Sequence, residues 1–207
     1  MSLLRILKRT YASYSRIAPD FNLIPDFLSP TEQRTLLSAA LQKLDAQESI
    51  QFRRRRKALK LQQRKFEGSS DDTNCVQDMF YPDECYEFQE GHFDGVIANY
   101  RETHVTSWPD NIDTLPPILE RLKTLYPSQD IQTHVLHLAS SGVIHPHVDN
   151  LSASGSWILG VSLGSERILR LERQVHGCDQ EVYDILLPSG SIYIQKSATL
   201  TTATFYD

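Results

Sequence analysis

The second half of the chain is written in short pieces. Apolar or β-branched runs occupy 134–138, 157–163, 168–171, 182–187 and 191–195, and Gly142, Gly155, Gly164 and Pro188-Ser189-Gly190 cut between them. The breakers recur too often for helices of ordinary length and at the right interval for strands joined by turns. The region is therefore restricted to a sheet-rich fold, a sandwich or a barrel. With 207 residues, the chain accommodates one such domain and a tail more easily than two domains. No stretch approaches the roughly 18 apolar residues of a membrane-spanning helix, and no period recurs as in a repeat array.

Helical signals sit ahead of that region. Ser29-Pro30-Thr31-Glu32 reads as a helix start: Ser29 caps, Pro30 suits the first turn, and Glu32 stands three residues after the cap. Leu37, Ala40, Leu41 and Leu44 follow at helical spacing and give one buried face. Phe21, Leu23, Ile24 and Phe27 just before them suggest a short strand and its exit. A second helix is expected over 115–126, with Ile118, Leu119, Leu122 and Leu125 on one side. The fold class is α+β, mostly β.

Charge is distributed unevenly. The net charge of -5 combines 14 basic and 5 acidic residues in 1–66 with 7 basic and 21 acidic residues in 67–207. The densest basic run, 51–66, holds eight bases and no acid, and 67–94 then carry nine acids and no base. Two readings are open. The stretch from Arg53 to Lys65 makes a weak contact with nucleic acid or anionic lipid, or it is a solvated helix neutralised by the acidic loop behind it. The first nineteen residues are acid-free, carry Arg5, Lys8, Arg9 and Arg16, and are rich in hydroxyl residues from Thr10 to Ser15. That composition is expected of a mitochondrial transit peptide over 1–19. Cys75, Cys85 and Cys178 are odd in number and form no CxxC, which argues against a disulfide framework or a zinc ribbon and for free thiols in a reducing compartment.

The densest group of metal-ligand side chains is His145-Pro146-His147-Val148-Asp149. Alternate residues of a strand share a face, so His147 and Asp149 project together. A histidine nitrogen and a carboxylate, with one distant histidine, make the facial triad that holds Fe(II) with positions left open. The HxD motif alone decides little, since the chain has a second one, His92-Phe93-Asp94.

Four ordered stretches set the first motif in context. They are Ile24-Pro25-Asp26-Phe27-Leu28-Ser29; His92-Phe93-Asp94-Gly95-Val96-Ile97 with Tyr100-Arg101-Glu102-Thr103 and Trp108; His134-Val135-Leu136-His137-Leu138 through Gly142 and Ile144 to Pro146-His147-Val148-Asp149; and Leu187-Pro188-Ser189-Gly190-Ser191-Ile192-Tyr193-Ile194. In this combination the chain resembles the AlkB-like Fe(II)/2-oxoglutarate-dependent dioxygenases, and among them the mitochondrial, homologue-seven branch. The resemblance covers most of 20–195 apart from a charged insertion at 46–90. It implies a double-stranded β-helix (jelly roll) with N-terminal helices. It implies His147 and Asp149 as two of three iron ligands, Tyr193 near the 2-oxoglutarate carboxylate, and Fe(II) and 2-oxoglutarate as cofactors. For Tyr193 a plain core-strand role stays open. His145, His92 and Asp94 receive no chemical role.

Two departures qualify the resemblance. Leu136-His137-Leu138 stands where nucleic-acid repair members carry Asn-x-Tyr, which points away from base demethylation. After His176 there is no histidine and after Arg173 no arginine, so the family's distal His and its 2-oxoglutarate-binding arginines have no counterpart, and 196–207 is an atypical Thr-rich tail. The expectation is a C-terminally truncated domain with its third ligand absent, its closing strands missing and its sheet edges open. The functional expectation is a monomeric mitochondrial-matrix dioxygenase acting on an unidentified protein or RNA. Its activity would be impaired, and the alternative is a non-catalytic interaction protein on a degenerate dioxygenase fold.

Overall fold

A computed structural model describes residues 21–66, 75–128, 131–148, 155–174, 180–196 and 202–206. The expected presequence at 1–19, Asp149 and His176 lie outside the described residues. In chain order the strands are β1 (Phe21–Ile24), β2 (Gln89–Gly91), β3 (Ile97–His104), β4 (His134–His147), β5 (Trp157–Val161), β6 (Arg167–Gln174), β7 (Gln180–Leu187), β8 (Ile192–Lys196) and β9 (Thr202–Tyr206). The helices are α1 (Pro30–Gln47), α2 (Ile50–Phe66) and α3 (Leu115–Lys123), with 3-10 turns at Val76–Met79 and Asp83–Cys85.

All pairings are antiparallel. A small sheet runs β1-β8-β5 and a large one β2-β3-β4-β9-β6-β7. Phe21, Leu23 and Tyr193 of the small sheet meet Leu169, Leu171, Ile185, Leu187 and Tyr183 of the large one in a shared core. The opposite face of the small sheet, with Ile192, Leu159 and Val161, is covered by Leu36 and Ala39 of α1 and Leu115, Ile118 and Leu122 of α3. Alternation makes this possible: neighbours Ile192 and Tyr193 point to opposite faces of β8. The molecule thus layers helices on the small sheet and the small sheet on the large.

α1 begins as its sequence predicts. The Ser29 hydroxyl accepts from Glu32 N at 3.4 Å and Glu32 Oε2 accepts from Ser29 N at 2.8 Å, a complete capping box. Glu32 also accepts from Arg121 Nη1 at 2.7 Å, which ties α1 to α3. That arginine holds the Glu32 carboxyl down at a pKa of about 2.

Two expectations are corrected. The closing strands are not all missing: 202–206 of the tail form β9, which lies inside the large sheet and pairs with both β4 and β6. The edges of that sheet are β2 and β7, so no gap stands open beside β4. The second correction concerns the charge blocks. The buried guanidinium of Arg56 takes its anionic partners from α1, Asp45 at 3.0 Å and Glu48, rather than from the acidic loop. The loop supplies main-chain carbonyls instead, Cys85 O to Arg56 at 2.7 Å and Glu84 O to Arg55. One acid of the loop caps the start of α2, Glu87 accepting from Ser49 N at 2.7 Å. Arg53, Arg54, Lys57 and Lys60 remain exposed.

Candidate active site

β4 carries His145-Pro146-His147 to its end. Along an unbroken strand Ile144 and His147, three positions apart, would face opposite sides. The β4–β9 register slips here: Ile144 pairs with Phe205 and His147 with Ala203, three steps on one strand against two on the other. Such a bulge re-aims a side chain, and it accepts Pro146, which has no N–H to give to a ladder. His147 returns to the face that buried Ile144 occupies. Ala203 also pairs with Leu171, and Leu171 with Tyr183. Directly opposed residues share a face, and Leu171 and Tyr183 belong to the core between the sheets. His147 therefore stands in the row that looks toward the small sheet.

The ring of His147 is oriented by its own strand. Nδ1 lies 2.9 Å from the His145 carbonyl oxygen. A carbonyl can only accept, so Nδ1 carries the proton and, in the neutral ring, Nε2 carries the lone pair. Metal-binding histidines are commonly held in this way by a carbonyl at the second nitrogen. His145 thus contributes its main chain while its side chain is exposed. Its N–H donates to Val96 O at 2.7 Å and fastens the start of β3 to the end of β4. Sequence reasoning assigned His145 nothing, because a main-chain acceptor leaves no mark on residue type.

Tyr193 reaches the same interior from the other sheet. It pairs with Gly160 across β8 and β5. A Cβ at Gly160 would fall 2.2, 2.3 and 2.6 Å from ring atoms and the hydroxyl of Tyr193, so the ring lies across the β5 main chain and needs a glycine there. Phe21 stacks on it with centroids 5.7 Å apart and planes at 15°. His147 and Tyr193 come from facing sheets and look into one interior. Among the described residues, no three His, Cys, Asp or Glu side chains converge as a metal would require. Iron fits the described residues through the tautomer and facing of His147, and no further.

His92 and Asp94 form a hydrogen-bonded pair, Nδ1 to Oδ1 at 2.7 Å. A third group has two members, Arg101 and His137, inside the four ordered stretches, but no motif assigns them a role. Arg101, buried on β3, donates from Nη1 to Asp45 and Glu48 at 2.8 and 2.9 Å and from Nε to His137 Nδ1 at 2.9 Å. Arg101 and Arg56 both lie over the Tyr86 ring, at 4.2 and 4.9 Å. Phe80, Tyr86 and Phe88 surround the His137 ring, each centroid 5.1 Å away. Burial first, then the charges of Arg101, Arg167 and Arg56, push the His137 pKa down to about 3. Burial alone would raise Glu48, but hydrogen bonds from Arg56 and Glu87 N and the nearby arginine charges outweigh it and hold the carboxyl low. This cluster pins the charged segment to the sheet.

The profile of the 2OG-Fe(II) oxygenase superfamily matches residues 20–199. The chain belongs to this superfamily. The superfamily implies a jelly roll, and the antiparallel sheets and helices agree with it. The alpha-ketoglutarate-dependent dioxygenase alkB homolog 7, mitochondrial, of Mus musculus is 36% identical over 116 residues, 54% of this chain and 50% of the relative. The protein of the same name from Bos taurus is also 36% identical over 116 residues, with the same coverage. The chain spans about half the length of the curated relatives it matches. The AlkB-like resemblance of the mitochondrial type, read from the motifs, is borne out.

Proposed function

We propose that the chain is an Fe(II)- and 2-oxoglutarate-dependent dioxygenase of the mitochondrial matrix, built on a jelly roll. The observation that carries this reading is the bulge that turns His147 inward with Nδ1–H on the His145 carbonyl. His147 and Asp149 would hold Fe(II), and the Tyr193 phenol would donate to the 2-oxoglutarate carboxylate. The chemistry supplied by the bound group is decarboxylation of 2-oxoglutarate to succinate coupled to oxidation of a protein or RNA substrate by O2. The chain's own part is to present Nε2 of His147 as a lone pair, to hold Tyr193 against Phe21 and Gly160, and to keep water out with Leu169, Leu171, Ile185 and Leu187.

Mn(II) titration of the full chain tests the ligands. His147→Ala and Asp149→Ala should each weaken binding at least tenfold, and unchanged affinity in His147→Ala would rule the site out. Adding a distal His and two Arg beyond residue 207 should raise succinate formation, since a third donor completes a facial triad and each guanidinium adds a charge-assisted bond to 2-oxoglutarate. No succinate from that extended form, with any protein or RNA pool, would leave the non-catalytic alternative.

A second reading has its own observation. Arg53, Arg54, Lys57 and Lys60 are exposed on α2 while Arg56 turns inward. These four could form a weak phosphate-contacting surface. For four contacts to single-stranded RNA, raising salt from about 50 to 200 mM should weaken binding about 50-fold. Salt-insensitive binding would dispose of this surface.

A further inference from the structure

The hairpin that joins β2 to β3 ends in a turn of His92, Phe93, Asp94 and Gly95. Gly95 N donates to His92 O at 2.9 Å, and Gly95 sits at φ 73°, where a side chain would be strained. Asp94 Oδ1 accepts from Val96 N at 2.9 Å and meets His92 Nδ1 at 2.7 Å. The turn is held from both sides, and it presents the Phe93 ring to solvent with 94% of its surface exposed, beside the His92 ring at 4.2 Å. The next most exposed large apolar residue among those described is Val148, at 66%. Both flank the same place. Val96, immediately after the turn, accepts from His145 N, and Val148 immediately follows His147. A single exposed apolar side chain needs no explanation, but two near the end of β4, each three residues from the His145–Val96 hydrogen bond, mark a contact surface.

The charge of this surface names what it contacts. Glu90 and Asp94 are exposed on the hairpin, and Glu102 is partly so. No lysine or arginine occurs from 67 to 100. Arg101 is buried against Asp45 and Glu48 and offers no charge to solvent. A nucleic-acid backbone is repelled by such a surface. An ammonium or guanidinium group can lie on the face of Phe93 with carboxylates as counter-charge.

We propose that the His92–Asp94 turn, with Phe93 at its tip and Val148 beside it, is the docking element for a lysine- or arginine-bearing polypeptide segment delivered to His147. This rests on the reading of His147 as part of the iron site and names the substrate class of that site.

The test uses fluorescence anisotropy of the full chain with a labelled octapeptide of alternating lysine and glycine, and with labelled octauridylate. Wild type should bind the peptide, Phe93→Ala should weaken it at least fivefold, and Phe93→Trp should retain it. Glu90→Gln should weaken it about twofold, and octauridylate binding should not respond to Phe93. Phe93→Ala with unchanged peptide affinity, or with loss confined to octauridylate, overturns the proposal. The measurement needs neither iron nor turnover, so the two readings fail separately. An extended form that binds the peptide through Phe93 but makes no succinate counts against the dioxygenase, whereas succinate formation with Phe93-independent binding counts against the docking element.

Discussion

At the scale of single residues, the tightest constraint is the place of Gly160 opposite Tyr193. A methyl group there would stand 2.2 Å from a ring atom, well inside contact distance, and the ring has Phe21 on it at 5.7 Å. Gly160→Ala should therefore destabilise the protein by roughly 1–3 kcal/mol, the usual cost of overpacking. Because the clash is with one ring, Gly160→Ala in a Tyr193→Ala background should cost far less, and a double-mutant cycle in urea would read the coupling. Strict additivity would contradict the geometry. Arg101 is the second such residue. Its planar fork reaches Asp45, Glu48 and His137 from one position while lying over Tyr86, which no ammonium can reproduce. Arg101→Lys should cost about 3 kcal/mol, as for a broken buried pair. A loss below about 1 kcal/mol in chemical denaturation would show that the cluster is not holding the charged segment.

At the scale of elements, β9 decides most. It separates β4 from β6 and opposes Ala203 to both His147 and Leu171. A chain ending at Lys196 would leave two interior strands with unpaired edges. It should elute as aggregates on size exclusion, and loss of the His147 bulge should weaken Mn(II) binding as far as His147→Ala does. A monomeric, metal-binding product would show β9 to be dispensable. Legibility followed the range of the interactions. The capping box of α1 was plain because Ser29 and Glu32 are three residues apart and carry the whole device. The strand-and-glycine pattern likewise announced β5 to β8. β9 was missed although Thr202, Thr204, Phe205 and Tyr206 suit a strand, because its partners lie far upstream and no alternation names them. The HxD motif placed His147 on a strand end, but the bulge that faces it inward is a matter of register between β4 and β9. The charge blocks at 51–94 were visible as blocks. Among the described residues, the pairing of Arg56 with Asp45 and Glu48 of α1 depends on how α2 folds back and leaves no local sign.

At the scale of the whole molecule, helices, small sheet and large sheet are stapled by a few ionisable groups, and these set how stability depends on pH. His137 is the first to matter. Its folded pKa of about 3 lies below the ordinary value of 6.5, so between those values the unfolded chain binds the extra proton. Stability must then rise with pH across that window, and on acidification it falls from about pH 6.5 downward, at up to about 1.4 kcal/mol per pH unit from this group. Glu32, held at about 2 by Arg121, and Glu48, held low by Arg56, Glu87 N and Arg101, act from a lower starting point. Carboxyls with depressed folded pKa values stabilise above their unfolded pKa of about 4.5, and that contribution is lost as pH falls through the folded value. Urea unfolding should therefore show two limbs, a decline that begins near pH 6.5 and a steeper one that begins near pH 4.5. His137→Gln can still accept from Arg101 but does not titrate, so it should abolish the upper limb and leave the lower one. Glu32→Gln should leave the upper limb and make the lower one shallower, with Glu48 still contributing, at a lower overall stability because its pair with Arg121 between α1 and α3 is lost. A wild-type profile that stays flat from pH 7 to 5 would mean that His137 is not held neutral in the fold. The cluster of Arg101, Tyr86 and Phe88 around it would then have to open at neutral pH.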